Sequence, residues 1–339
     1  QKLITIAVDA MGGDGSPKKV IDGIIHHSKN KNNIFYKIFG DKNNIENFIP
    51  PSFNKNLYEI FHTNDVVEGK DTPLGAAKRG KNTSMWLAVE SVKEKKSDVI
   101  ISAGNTGALL VISKLNLKMI ENIDKPALSG LWPNKKGMNV VLDLGANIEC
   151  NDKNLIDFAI MGSSIFKSLY PNEKAKVALL NIGSEEIKGN EIIKNTYQKL
   201  NQIQSNDYEF KGYVEGDKMM NGDVNVIVSD GFTGNIALKT AEGTANFIST
   251  ELKKALSGGI LAKLSSLINI RNLKKFKNRL DPRLYNGAIF LGLESPVIKS
   301  HGFTDFVGFA NSLDVCFKTV EGKLIEKIKK NIVIWLDKI

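Results

Sequence analysis

Residues 3–17 read Leu-Ile-Thr-Ile-Ala-Val-Asp-Ala-Met-Gly-Gly-Asp-Gly-Ser-Pro. Leu3–Ala10 is a short apolar, β-branched run and predicts a strand. The glycines at 12, 13 and 15 predict a tight turn, and Ser16-Pro17 predicts an N-cap followed by proline at the first helical position. Val20, Ile21, Ile24 and Ile25 then supply the buried stripe of a helix.

The same unit of strand, polar turn and helix recurs. Asp98–Ser102 leads into Ala103-Gly104-Asn105-Thr106-Gly107, and Asn139–Leu144 into Gly145-Ala146-Asn147. Lys176–Asn181 leads into Ile182-Gly183-Ser184, and Asn225–Ser229 into Asp230-Gly231-Phe232-Thr233-Gly234-Asn235. Apolar runs without alternation indicate strands buried on both faces, and their interleaving with helices indicates parallel βαβ units. The chain therefore reads as α/β with a mostly parallel sheet. Ligands of such sheets bind beyond the carboxyl ends of the strands. The five glycine- and asparagine-rich turns are accordingly expected to converge on one crevice.

These turns exclude several chemistries. The first is not Gly-x-Gly-x-x-Gly, and no acidic residue ends a second strand about 20 residues on, which argues against a dinucleotide site. Neither Gly-x-x-x-x-Gly-Lys-Ser/Thr nor Gly-x-Ser-x-Gly occurs. His26, His27 and His62 lack partners at metal spacing, so no metal is expected, and Cys150 and Cys316 read as buried thiols. What remains is a set of backbone N–H groups, amides, helix N-termini and a few cations, which suits a small oxyanion or the oxyanion of an attacked carbonyl. With no protein nucleophile evident, acyl transfer to phosphate fits, because phosphate is itself the nucleophile.

The 339 residues include 46 Lys and Arg against 37 Asp and Glu, a net charge of +9. Only four of the basic residues are arginine, the preferred reader of phosphate and guanine edges, which argues against nucleic acid as a partner. No apolar run approaches the roughly 18 residues of a spanning helix, and the start shows no secretory pattern, so a cytoplasmic location is expected. Charge is concentrated at 251–283, where nine basic residues and two acids give +7. There Leu256, Ile260, Leu264, Leu267 and Ile268 repeat at helical spacing beside Lys274, Lys275 and Lys277. Residues 244–283 thus read as a basic amphipathic hairpin of two helices within one domain spanning 1–339. It could pack on its own core, contact a second chain, touch a membrane or receive an acidic carrier protein.

Nine motifs in order carry a resemblance: Asp9–Asp14, Ser102–Ala108, Leu144–Asn147, Leu179–Gly183, Lys188-Gly189-Asn190, Asp230–Asn235, Leu238-Lys239-Thr240, Gly287-Ala288 and Ser300-His301-Gly302. Together they resemble the bacterial phosphate acyltransferases of phospholipid synthesis, the PlsX family, over about residues 4–315. The resemblance implies a three-layer αβα sandwich related to isocitrate and isopropylmalate dehydrogenases and to phosphotransacetylases, and a homodimer. It implies conversion of fatty acyl-[acyl carrier protein] and inorganic phosphate to acyl phosphate, without a cofactor. A membrane glycerol-3-phosphate acyltransferase would take the product on, and an anionic membrane surface would be a peripheral partner.

On this reading Lys188 faces phosphate or the tetrahedral oxyanion, Asp230 orients it, and Asn235 donates to it. Asp9, Gly12, Gly13, Asn105, Thr106, Gly107, Asn147, Asn181, Gly183, Gly231, Gly234, Lys239 and His301 are expected at the substrate. Three departures from the family pattern stand out: Gly15-Ser16 where the family has His-Ala, Asp217-Lys218 where it has Arg-Asp, and Asn82-Thr83-Ser84-Met85, which matches the usual Ser-Ser-Met only in part. The alternatives are a phosphotransacetylase-like enzyme using acyl-coenzyme A, a basic binding module, and a nicotinamide-dependent dehydrogenase.

Overall fold

The computed structural model describes residues 2–29, 31–203, 205–259, 267–279 and 281–337. Its strands are β1 (Ile4–Asp9), β2 (Ile34–Gly40), β3 (Tyr58–His62), β4 (Val99–Ser102), β5 (Ala127–Pro133), β6 (Met138–Leu142), β7 (Ala175–Leu180), β8 (Tyr208–Val214), β9 (Val226–Val228), β10 (Ala288–Leu291) and β11 (Val297–Lys299). They form one sheet in the order β3-β2-β1-β4-β11-β10-β5-β6-β9-β7-β8. All five strands expected from the sequence are present: β1, β4 and β9 are trimmed by one or two residues, β7 is shifted one residue toward the N-terminus, and β6 starts one residue earlier and ends two residues earlier than expected.

Burial on both faces explains the unalternating runs. In β1, Ile4, Ile6 and Val8 join one apolar cluster while Ala7 joins another; in β4, Val99 and Ile101 face away from Ile100 in the same way. Helices α1 (Lys18–Ser28), α6 (Asp152–Leu169), α10 (Phe306–Glu321) and α11 (Leu324–Leu336) cover the first face. The other face is covered by α4 (Ser84–Lys93) and α5 (Thr106–Asn116) in one half and by α8 (Gly231–Ser257) in the other. The short helices α2 (Lys42–Glu46) and α3 (Pro73–Arg79), together with α7 (Glu191–Gln202) and α9 (Ile270–Arg279), complete the α-helices among the described residues. The result is the expected three-layer αβα sandwich with a mostly parallel sheet.

The sheet reverses direction in its middle. β11 is parallel to β4, but β10 is antiparallel to both β11 and β5, and β5 is antiparallel to β6. Strands β6, β9, β7 and β8 are parallel to one another and therefore run against β1, β2, β3 and β4. Asp9, Ser102 and Lys299 stand in register at the carboxyl edge of one half. Leu142, Val228 and Leu179 stand in register near the carboxyl ends in the other half. The expectation of a single crevice for all five turns is thus corrected: two turns lie at one edge of the sheet and three at the opposite edge.

Two local expectations change. Ser16 does not cap α1; its hydroxyl donates to the Gly12 carbonyl at 2.6 Å, and Pro17 occupies the cap position without a side-chain bond. The hairpin has no boundary at 244, because α8 runs unbroken from Gly231 to Ser257. Ile260 and Leu264 fall outside the described residues, as does the side chain of Lys277. Leu267 is 65% and Ile268 84% exposed, Leu256 is half-buried, and Lys274 and Lys275 are exposed. Among the described residues no helix is long and apolar enough to cross a membrane.

Candidate active site at two edges of the sheet

The β6–β9–β7 edge is organised by Asp143, which is wholly buried just past β6. Its Oδ1 accepts from the N–H groups of Leu128 (3.0 Å), Gly145 (3.2 Å) and Ala146 (3.0 Å), and its Oδ2 from the N–H (2.8 Å) and side-chain amide (2.9 Å) of Asn147. A turn rich in donors is thereby wrapped on one carboxylate, the arrangement that makes burying its charge tolerable. The sequence reading placed Asp143 in a strand and missed this role.

The start of α8 docks on this turn. A Cβ on Gly234 would sit 1.9 Å from the Asp143 carbonyl oxygen, and one on Gly231 would sit 2.3 Å from the Asn147 carbonyl oxygen, so no side chain fits at either position. Asp230 caps the helix, accepting from the N–H (2.8 Å) and hydroxyl (2.9 Å) of Thr233. Asn235 donates to the Leu144 carbonyl at 3.1 Å and Asn147 to that of Pro126 at 2.6 Å. Asn181 donates to the Lys188 carbonyl at 3.2 Å and so folds the loop that holds buried Gly183. The Lys188 side chain itself is exposed, and its ammonium has no ion-pair partner among the described residues. Beside Asp230 lies an open groove of about 510 Å³, walled by Lys125, Cys150, Asn190 and Phe232. Burial, reinforced by the Asp143 charge, pushes the Cys150 thiol up to about 11, which keeps it protonated and a poor nucleophile.

The β1–β4–β11 edge carries charge of a different kind. Asp9 is 1% exposed and accepts from the hydroxyls of Ser84 (2.7 Å) and Ser102 (2.6 Å). Burial raises its carboxyl above the usual range, against the lowering effect of the two serines. The glycine turn packs directly on the turn after β4: a Cβ on Gly12 would meet the Gly104 nitrogen at 2.6 Å. Gly13 has φ +84 and lies against Ala103 and the Lys19 ammonium. Asn105 caps α5 through the Ala108 N–H (3.0 Å) and tethers a neighbouring loop through the carbonyls of Gly69 (3.1 Å) and Asp71 (2.9 Å). Thr106 and Gly107 form the first turn of α5, where backbone N–H groups point outward.

Two lysines that the sequence reading did not single out lie here: Lys19 on α1 and Lys299 at the end of β11, 7% and 9% exposed. The Lys19 ammonium donates to the Gly302 carbonyl at 2.5 Å, and that of Lys299 to the Ser300 carbonyl. Burial, followed by the charge of Lys19, holds Lys299 down to about 8, with Asp9 opposing the shift. His301 is lowered by burial and then by Lys299. It also feels Glu242 and Lys239 of α8, which pair with each other at 2.8 Å. Helix α8 therefore starts at one edge of the sheet and passes within electrostatic reach of the other.

The model of the family described as "Fatty acid synthesis protein" matches residues 4–327. The chain is 75% identical over 331 residues to a phosphate acyltransferase of Pelagibacter ubique, with 98% of this chain and 99% of the relative covered. It is 43% identical to a phosphate acyltransferase of Paramagnetospirillum magneticum, with 96% and 93% covered. Among solved structures it is similar to the EutD phosphotransacetylase of Staphylococcus aureus, with TM-score 0.59, 15% identity and 94% of each chain covered. A branched-chain phosphotransacylase of Enterococcus faecalis V583 gives 0.55 at 15% identity, covering 94% of this chain and 99% of that one. These two likenesses show the fold. With a family model and close relatives each matched over nearly the full chain, the protein belongs to the phosphate acyltransferase family of fatty acid synthesis proteins.

Proposed function

We propose that the protein transfers a fatty acyl group from the thioester of acyl carrier protein to inorganic phosphate. The observation that carries the reading is the pairing of full-length family membership with an edge of buried cations and helix N–H groups suited to an oxyanion. A phosphate oxygen attacks the thioester carbonyl, the tetrahedral oxyanion collapses, the C–S bond breaks, and acyl phosphate and free thiol result. The departing thiol has an unperturbed pKa of about 8.5 and needs little acid assistance. Cys150 and Cys316 both have raised thiol values, which supports direct attack without an acyl-enzyme. Incubation with acyl-[acyl carrier protein] and labelled phosphate should yield labelled acyl phosphate; no labelled product would reject the reading. Acyl-coenzyme A, run in parallel, tests the alternative donor.

In this reading the glycine turn with Asp9, Gly12 and Gly13, the α5 start at Asn105–Gly107, and His301 meet phosphate, with Lys239 alongside. Lys188 stabilises the oxyanion. Asn181 and Gly183 hold the loop that carries it, and Asp230, Gly231, Gly234, Asn235 and Asn147 hold the start of α8 against the turn beside it. One chain sets these groups at opposite edges, so we infer a homodimer in which the Lys188 loop of one chain faces the His301 loop of its partner.

The product is amphiphilic. The exposed Leu267 and Ile268, with half-buried Leu256 and the cations Lys274 and Lys275, support peripheral contact of the 244–283 segment with anionic lipid in the cytoplasm, where a glycerol-3-phosphate acyltransferase would receive the product. Each lysine near such a surface contributes about 1 kcal/mol. Wild type should float with anionic vesicles at low salt, and a Lys274/Lys275/Lys277 triple alanine variant should stay behind. Equal flotation of both would reject this contact.

A further inference from the structure

Lys19 and Lys299 are more than nine-tenths buried, yet no carboxylate lies within ion-pair distance of either ammonium among the described residues. Each is held by a backbone carbonyl, Gly302 for Lys19 and Ser300 for Lys299, and an ammonium has three donors. The one buried carboxylate nearby, Asp9, is engaged by Ser84 and Ser102. Buried charges without a counter-ion are strongly disfavoured, so a site that concentrates two cations beneath a glycine turn is built for an anion that arrives from outside. The surroundings match: Gly13, at φ +84, leaves no room for a side chain beside the Lys19 ammonium, and the N-terminus of α5 adjoins Gly104.

We propose that Lys19 and Lys299, with the backbone amides of Gly13 and Gly15 and of the α5 start, form the pocket that binds inorganic phosphate as the acyl acceptor. This assignment rests on the acyl-transfer reading for the word acceptor, but the binding itself does not. A phosphate dianion would supply the missing counter-charge to both ammoniums at once. Point-charge lysines, unlike an arginine fork, leave the phosphate oxygens free to turn toward the carbonyl.

The test is equilibrium dialysis of the full chain against labelled inorganic phosphate, at low ionic strength and without any acyl donor. Wild type should bind one phosphate per chain, and Lys299→Met and Lys19→Met should each weaken binding tenfold or more. Lys93→Ala, at an exposed position of α4, should bind phosphate within about twofold of wild type. A second arm uses wild type alone, between pH 7.5 and 9.5. The groups facing Lys299 are Lys19 on α1, Asp9 on β1 and His301 beyond β11; Asp14 in the glycine turn acts on Lys19, and Lys239 and Glu242 on α8 act on His301. His301, lowered from 6.5, is already neutral here, and of the lysines the depressed Lys299 and Lys19 lose protons soonest, so affinity should fall severalfold across this range. Exposed lysines would hold their charge and keep binding constant.

Phosphate bound equally well by wild type and both methionine variants, or binding independent of pH up to 9.5, would overturn the proposal. If a methionine variant fails to fold, the wild-type pH arm decides. Lys299-dependent binding without acyl phosphate formation would retain the pocket and reject the acyl-transfer reading. Acyl phosphate formation with binding unchanged in both methionine variants would do the reverse.

Discussion

At the β6–β9–β7 edge the buried charge is Asp143, and its oxygens accept five hydrogen bonds from its own neighbourhood. At the β1–β4–β11 edge the buried charges include two lysines with donors to spare. The first edge is internally satisfied, and Lys188 stands exposed on a loop there with no ion-pair partner among the described residues. The second is left electrically unsatisfied until an anion arrives. A satisfied carboxylate builds a scaffold and an unsatisfied ammonium builds a binding site, so the same substitution chemistry should have different consequences at the two edges.

The largest effect is expected at the scaffold. Asp143→Ala would leave buried N–H groups without acceptors at roughly 1–3 kcal/mol each, a loss of about 3 kcal/mol or more. Urea unfolding reads this directly, and a loss below about 1 kcal/mol would show that the turn is held by other means. Removing charge from the other edge should not destabilise in this way, because Lys299→Met deletes a burial penalty.

A second prediction joins the edges. Assayed at phosphate well below the wild-type KM, chains carrying Lys188→Ala and chains carrying Lys299→Met, each impaired alone, should recover roughly a quarter of wild-type activity when refolded together in equal amounts, since half of the dimers are then mixed and one of their two symmetric sites is intact. No gain on mixing would place both groups in a single chain's site or separate them altogether.

The third concerns pH. Lys299 is held at about 8 in the folded chain, below its unfolded value of about 10.4. Between these values the unfolded chain binds more protons at this position, so the stability contributed there rises with pH across the window and is constant below it. Urea midpoints of wild type relative to Lys299→Met, taken without phosphate from pH 7 to 10, should climb above pH 8. A flat difference would mean that the ammonium is better solvated than its burial indicates. The smallest effect is expected for Asn105→Ala, which removes the α5 cap and a loop tether for about 1 kcal/mol. A thermal melt detects it.

The parallel strands were legible because five apolar runs end in glycine- or asparagine-rich turns. The reversal was not, because it depends on β5, β10 and β11, and the last two have only four and three residues and leave no periodicity to count. That omission turned two edges into one expected crevice. Among site residues, the glycines at 231 and 234 were readable from their turn, but Asp143 was hidden inside an apolar run. Lys19 and Lys299 were missed because lysine ordinarily reads as surface. A signal did exist for Lys19, since Lys19, Gly23 and His27 are spaced by four and all lie on the buried side of α1. Lys299 ends the run Pro296-Val297-Ile298 and so sits in register with Asp9 and Ser102. The asparagines at 105, 147, 181 and 235 were read as ligand donors, and each donates to a backbone carbonyl.

The most direct test of this division of labour is the initial rate of acyl phosphate formation as a function of phosphate concentration, in wild type, Lys299→Met and Lys188→Ala. Lys299→Met should raise the KM for phosphate roughly tenfold or more with kcat within about threefold, the signature of lost acceptor binding. Lys188→Ala should lower kcat roughly tenfold or more with the phosphate KM within about twofold, as expected for a lost oxyanion contact. Both variants changing the same parameter, or Lys299→Met leaving the phosphate KM where it was, would contradict the account.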